Sequence, residues 1–372
     1  MKAGLVLTTI NDPVCLEGYY KNFEQYGHLR DVLVFVIPDV KTPKDAYVRC
    51  AELTNKGLVT LCPAYSASAN ILNSIGLKPE MFPLNSDNRR NIGYLMALVS
   101  GVDFVISIDD DNYCREGEDY FANHALVCES GSEAVSSSDY WLNPCEWLQM
   151  TGPRPNPYQR GFPYFARMGN QHTVHANDGL FDVHVNSGLW LGDPDVDALT
   201  WVAIPRRVYA HHSSVIAAKD TWAPINSQNT AVRAEAMPAY YFILMDPPRM
   251  DRDGDIFQGY FLQACMKHLG GHLRIGTPIV DHMRNSHNYF DDLVKELPCI
   301  RLLEEMLPWL TELKLTGSDY AETYHCLSEE LDEWSHHRTI STSNLLWFES
   351  VTKNMREWVK ACRTIGVQKV TA

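Results

Sequence analysis

The chain has 372 residues, enough for one large domain or two ordinary ones. Hydrophobic residues make up 45% and charged residues 21%, the balance of a globular protein. The net charge of −14, from 32 basic and 46 acidic side chains, argues against a nucleic-acid or anionic-membrane binder, which needs a basic face.

A local basic pocket for phosphate remains compatible with that charge. No run of 18 apolar residues exists, so no membrane span is expected. The ten cysteines are scattered, with no CxxC pair and no zinc-like spacing. They read as reduced thiols in a cytoplasmic protein.

Residues 4–10 read as a buried strand, closed by Asn11-Asp12-Pro13. A helix is expected over 14–27. Residues 31–39 form a second apolar strand, ending at Pro38 and Asp39. A helix over 43–57 and a strand over 58–62 follow. This βαβαβ rhythm implies a parallel sheet with right-handed crossovers. Ligands in such sheets bind beyond the carboxyl ends of the strands. Thr8, Thr9 and Asp39 lie at those ends.

The next helix runs from Asp87, a plausible N-cap, to about residue 100. Arg89 and Arg90 sit at its positive end, which favours cations only if an anion binds nearby. A solvated arginine pair is an equal alternative.

Phe104-Val-Ile-Ser-Ile108 is a buried strand followed at once by Asp109, Asp110 and Asp111. Like charges this close repel unless a cation sits among them. Hard divalent ions take carboxylate oxygens and bridge to substrate phosphates. The functional reading is a metal-diphosphate site; the bland one is an acidic turn, with Asn112 helping to cap it.

Beyond residue 114 the pattern is less regular. Arg160 and Arg167 flank an aromatic, proline-bearing segment, suited to clamping phosphate or stacking on a base. Loop arginines are otherwise solvated. Residues 184–197 hold a short buried run and then alternating Asp193, Asp195 and Asp197, which composition alone reads as a capped turn. Residues 221–245 hold a polar segment ending at Asn229 and a helix-like run to Met245. Asp255 reads as a helix cap before an amphipathic stretch to Leu269. A strand over 272–281 leads to His282, with His287 close behind. From Asp291 onward, period-3.6 apolar faces over 299–315, 319–335 and 343–364 predict helices. Residues 1–290 are thus expected to form the catalytic domain, and 291–372 a helical region packed on it or making an oligomer contact.

Taken together, these segments resemble the plant reversibly glycosylated polypeptides, or UDP-arabinopyranose mutases. The resemblance covers about residues 4–290. It rests on Ile108-Asp-Asp-Asp111, on Arg90-Asn-Ile-Gly93-Tyr94, on Arg160-Gly-Phe-Pro-Tyr-Phe-Ala-Arg167 and on Gly188-Leu-Trp-Leu-Gly-Asp-Pro-Asp195-Val-Asp197. Asn229, Arg252, Asp255 and His282 fall on matching positions. One departure is Arg252-Asp253-Gly254-Asp255, where the family has Arg-Tyr-Asp-Asp, so one acid is missing.

The resemblance implies a GT-A-like α/β fold with a mostly parallel central sheet, acting on a UDP-sugar. Asp109, Asp111 and His282 would hold Mn²⁺ or Mg²⁺. Asp110 would touch ribose or sugar. Thr8, Thr9, Asp39, Arg90 and Asn229 would bind the nucleotide. Arg160 and Arg167 would clamp diphosphate; in the family the first of these arginines is linked to self-glycosylation. Asp193, Asp195 and Asp255 would meet sugar hydroxyls. The expected reaction is pyranose/furanose interconversion. Its alternatives are transfer to a small-molecule or glycan acceptor, and non-catalytic sugar-nucleotide binding.

Overall fold

The first strand, β1 (Ala3–Thr9), is apolar on both faces because both are covered. In the computed structural model, which describes residues 1–167, 174–245, 252–286, 288–338 and 341–371, it lies well inside the sheet. His287 falls outside these residues. The first part of the chain reads α1 (Leu16–Tyr26), β2 (Val32–Pro38), α2 (Lys44–Asn55), β3 (Thr60–Leu61), α3 (Tyr65–Ser74), α4 (Arg90–Val99) and β4 (Phe104–Ile108). The middle holds β5 (Asn112–Cys114), α5 (Tyr120–Ala125), β6 (Ser130–Ser137), β7 (Leu148–Met150), α6 (Tyr164–Arg167), β8 (Val174–Gly192), α7 (Ala198–Ala203), β9 (Val208–His211), β10 (Val215–Ala217) and β11 (Asn229–Arg233). The last part is α8 (Gly254–His268), β12 (His272–His282), α9 (Tyr289–Glu312), α10 (Tyr320–His336) and α11 (Thr342–Thr371).

The fold is α/β. Strands β3, β2, β1 and β4 run parallel in that order, so the chain winds one way from β1 and then returns to β1's other side. That reversal opens a crevice at the carboxyl ends of β1 and β4. Beyond β4 the sheet turns mixed: β11 is antiparallel to both β4 and β8, while β12 runs parallel to β8.

Helix α4 is buried along its length except at Val99. A Cβ at Gly93 would collide with Val6 and sit 3.1 Å from Ile37 Cγ1. The missing side chain lets α4 lie close on β1 and β2, and this sets Arg90, one turn earlier, beneath the end of β4.

Three expectations need correction. The helix-like run over 229–245 begins as strand β11 and continues as a 3-10 turn over Ala234–Ala239; the β-branched Thr230 and Val232 pair into the sheet. Asp87 is not the cap: Ser86 is, its side chain accepting from Asn88 N. Arg89 and Arg90 are buried rather than solvated.

The C-terminal helices share the main core. Trp347 and Trp358 are buried, and their indole N–H groups donate to Leu244 O (3.0 Å) and Met237 O (3.1 Å). Among the described residues, no helix is long and apolar enough to cross a membrane.

Candidate active site

A cleft of about 550 Å³ opens where β1, β2 and β4 end. Thr8, Thr9, Asp39, Arg90, Asp109, Asp110 and Asp111 all line it, as the strand-end reading expects. The three aspartates face different partners. Arg90 Nη2 donates to Asp109 Oδ1 (2.6 Å) and to Thr8 Oγ1 (3.3 Å), and Nη1 donates to Ser227 Oγ (2.8 Å). Thr9 Oγ1 donates to Asp110 Oδ2 (2.6 Å), with Asn11 Nδ2 at 3.2 Å. Asp111 Oδ2 stands 3.6 Å from His282 Nε2 and accepts from Asn285 N (3.2 Å).

His282 arrives from the end of β12. Its Nδ1 donates to Asp193 O (2.6 Å), which fixes the ring and turns Nε2 toward Asp111. Burial disfavours the imidazolium, yet the Asp111 carboxylate holds the His282 pKa above its ordinary value. Burial likewise opposes the Asp111 charge, and His282 keeps its pKa low.

The expected metal triad is therefore only partly assembled. Asp111 and His282 meet, while Asp109 is turned onto Arg90. Among the described residues, no three His, Cys, Asp or Glu side chains converge as a ready-made metal cage. The donor set still fits a hard cation: a carboxylate beside an imidazole whose other nitrogen is anchored, with two more carboxylates on the same wall.

A second cluster centres on Arg160. Its Nε donates to Asp195 Oδ1 (2.8 Å). Nη1 donates to Asp253 Oδ1 (2.7 Å) and Asp255 Oδ1 (3.1 Å). Nη2 donates to Asp255 Oδ2 (2.9 Å) and Asp195 Oδ2 (3.3 Å). All five guanidinium N–H groups are spent on three carboxylates. Burial opposes each charge, yet the carboxylates hold the Arg160 pKa far above its ordinary value, and Arg160 holds Asp195 below its own. A diphosphate clamp needs free donors, so Arg160 does not offer one.

The two clusters touch through Ser227. Its hydroxyl accepts from Arg90, and its backbone N–H reaches Asp255 Oδ2 (3.4 Å).

Other expected site residues lie elsewhere. Asn229 is a core clasp: its Oδ1 accepts from Tyr120 OH (2.8 Å) and faces His124 Nε2 (3.0 Å), and its Nδ2 donates to Leu189 O (3.2 Å) and Pro278 O (2.9 Å). No polar atom is left for a nucleotide. A Cβ at Gly188 would strike Asn229 and Pro278 O, so that glycine serves the clasp. Arg167 packs on Tyr164 (3.7 Å) and donates to Asp197 Oδ2 (2.9 Å), the residue that caps α7, rather than facing the cleft. Asp193 Oδ1 pairs with Arg207 (2.8 Å), and its backbone orients His282.

Sequence reading missed two contributors, Asn285 and Asp253, and gave a third, Arg89, no partner. Asn285 reaches Asp110 and Asp111, and nothing in a loop asparagine signals this. Arg89 spans Pro38 O (3.2 Å) and Asp39 (3.8 Å) beneath the cleft. Asp253 adopts φ 70°, a left-handed conformation uncommon outside glycine, and this turns its carboxylate back onto Arg160. The acid thought missing from the 252–255 segment is there, one residue early.

A family model described as "Reversibly glycosylated polypeptide" matches residues 64–367. The segment bearing Thr8, Thr9 and Asp39 precedes that match. The chain is 28% identical over 252 residues to UDP-arabinopyranose mutase 1 of Arabidopsis thaliana, covering 66% of each protein. It is 27% identical over 297 residues to UDP-arabinopyranose mutase 2 of the same plant, covering 78% of this chain and 76% of that one. Staphylococcus aureus TarS 1–349 in complex with UDP-GlcNAc matches 100% of this chain and 92% of its own at 11% identity and a TM-score of 0.41, a likeness too distant to bear on function.

Proposed function

This chain belongs to the reversibly glycosylated polypeptide family, and from that premise we propose that it is a metal-dependent enzyme acting on a UDP-sugar, interconverting pyranose and furanose forms. The observation that carries the reading is the run Asp109–Asp111 at the crevice of the parallel half-sheet, with His282 brought against Asp111. The curated relatives are named UDP-arabinopyranose mutases, which supports the choice of reaction.

In this reading Asp111 and His282 hold Mn²⁺ or Mg²⁺, with Asp109 or Asp110 on the same wall. The bound cation would act as a Lewis acid on the leaving diphosphate. Arg90 balances Asp109 and keeps that wall from repelling itself apart. Thr9 and Asn11 orient Asp110 toward ribose or sugar. Asp39, with both oxygens on the backbone N–H groups of Val40 and Asn85, fixes the wall where uracil and ribose would lie. At the sugar end, Asp255 and Asp195 offer carboxylate surface to hydroxyls and to a cationic anomeric centre.

Arg160 has a different part. A protonated guanidinium held by three carboxylates is no nucleophile, so glycosylation at Arg160 is not part of the proposal. Its role is to hold Asp195 and Asp255 in place.

The test is incubation of the protein with Mn²⁺ and a panel of UDP-sugars without acceptor. Appearance of the ring-isomerised UDP-sugar supports the mutase. Slow release of UDP alone points to transfer onto a separate acceptor. No turnover with UDP-sugars contradicts the proposal.

A further inference from the structure

At the far end of α8 from the Arg160 cluster lies a second cavity, of about 740 Å³. Asp255 and Lys267 are twelve residues apart on that helix, about 18 Å along its axis. Trp141 and Trp222, with ring centres 6.5 Å apart, form an aromatic wall. Tyr140 stands at the mouth, 60% exposed, on a backbone with φ 67°. A bulky residue in that conformation is a genuine outlier.

Lys267 is the unusual group. It is only 9% exposed, yet makes no salt bridge among the described residues. Its ammonium donates to Lys219 O and Thr221 O, both at 2.7 Å, and lies 5.0 Å from the Trp222 ring centre. An ammonium has three donors, so one remains. Burial pulls the Lys267 pKa down to about 7, outweighing the nearby Asp220 carboxylate, which raises it without making a salt bridge. Buried charges are normally paired. Lys219 and Lys314 add positive charge around the cavity; His268 also lines it and is engaged with Gly317 O (2.9 Å). Asp220 and Glu312 are the acids that line it.

We infer that this cavity binds a small anionic molecule, one whose phosphate or carboxylate pairs with Lys267 and whose planar or apolar body lies on Trp222 and Trp141. The missing counter-charge comes from the ligand. The site is separate from the nucleotide cleft and does not depend on the UDP-sugar reading.

Pyridoxal phosphate is a probe that carries a phosphate, a planar ring and an aldehyde. An unprotonated lysine amine adds to the aldehyde, water leaves, and borohydride delivers hydride to the imine carbon, fixing the label. Peptide mapping then reports which lysine was reached. UDP is present throughout to occupy the other cleft. The expected result is early labelling of Lys267, suppressed by phenyl phosphate but not by phenol. Lys314→Ala, on the cavity wall, should weaken protection by phenyl phosphate about tenfold, the equivalent of one charge-assisted contact. Lys267→Met should lose the label at that peptide while Lys314→Ala keeps it, which separates loss of the site from loss of the fold. Labelling confined to exposed lysines overturns the proposal. So does labelling of Lys267 that phenyl phosphate does not suppress, or that phenol suppresses equally.

Discussion

The cleft at the end of β4 and the pocket around Arg160 each gather three aspartates, and they treat them differently. In the cleft, Asp109, Asp110 and Asp111 are consecutive and take separate partners: Arg90, Thr9 and His282. About 550 Å³ of open space lies beside them. Around Arg160, the aspartates come from the segment after β8 and from the start of α8, and one guanidinium takes all three. The first arrangement leaves carboxylate oxygens facing the open cleft, which is what the proposed cation and diphosphate would need. The second spends every donor internally and joins two segments. Equal numbers of carboxylates thus line open space in one place and surround a single guanidinium in the other.

The contrast fails first if Arg160 proves dispensable to the fold. Arg160→Met leaves three buried carboxylates without their counter-ion, and about 3–5 kcal/mol of stability should be lost. Denaturant unfolding measures it.

Next comes Glu296, fully buried beside this knot. Burial and the Asp253 carboxylate raise its pKa to about 7. The folded state then binds more protons than the unfolded state between about 4.5 and 7, so Glu296's stabilising contribution is complete below that window and is lost as pH rises through it. The loss should be on the order of 2–3 kcal/mol, and Glu296→Gln should flatten the profile. A profile unchanged by that substitution would mean that the knot carries no surplus of negative charge.

On the cleft side, Asp111→Asn should leave stability within about 1 kcal/mol while weakening metal-dependent UDP binding at least about tenfold. Loss of fold instead would erase the distinction between the regions. The smallest effect is expected at Asp253→Asn. The amide oxygen still accepts from Arg160 and two carboxylates remain, so stability should change by no more than about 1 kcal/mol.

Much of the cleft was legible because it is local. Apolar runs mark β1, β2 and β4, and the acids that end them must lie at one edge of a parallel sheet. The Arg160 knot was not legible in this way. Its members lie 35, 93 and 95 residues from Arg160, and only tertiary packing brings them together. Asp253 read as a substitution within an acidic motif because sequence does not reveal its left-handed backbone. Asn229 misled for the opposite reason: a polar residue in a polar segment looks like a site residue, yet a saturated asparagine is also how a core holds three strands and a helix. Residues 229–245 misled by composition, since alanine-rich stretches favour helix until pairing on both sides, here with β4 and β8, claims their first residues.

Calorimetric titration of UDP with and without Mn²⁺ tests the central claim most directly, that the β4 cleft is a metal-assisted nucleotide site. The account predicts saturable binding that strengthens with Mn²⁺ and loses that dependence in Asp111→Asn. Equal UDP binding with and without the metal, or none in either condition, would contradict it.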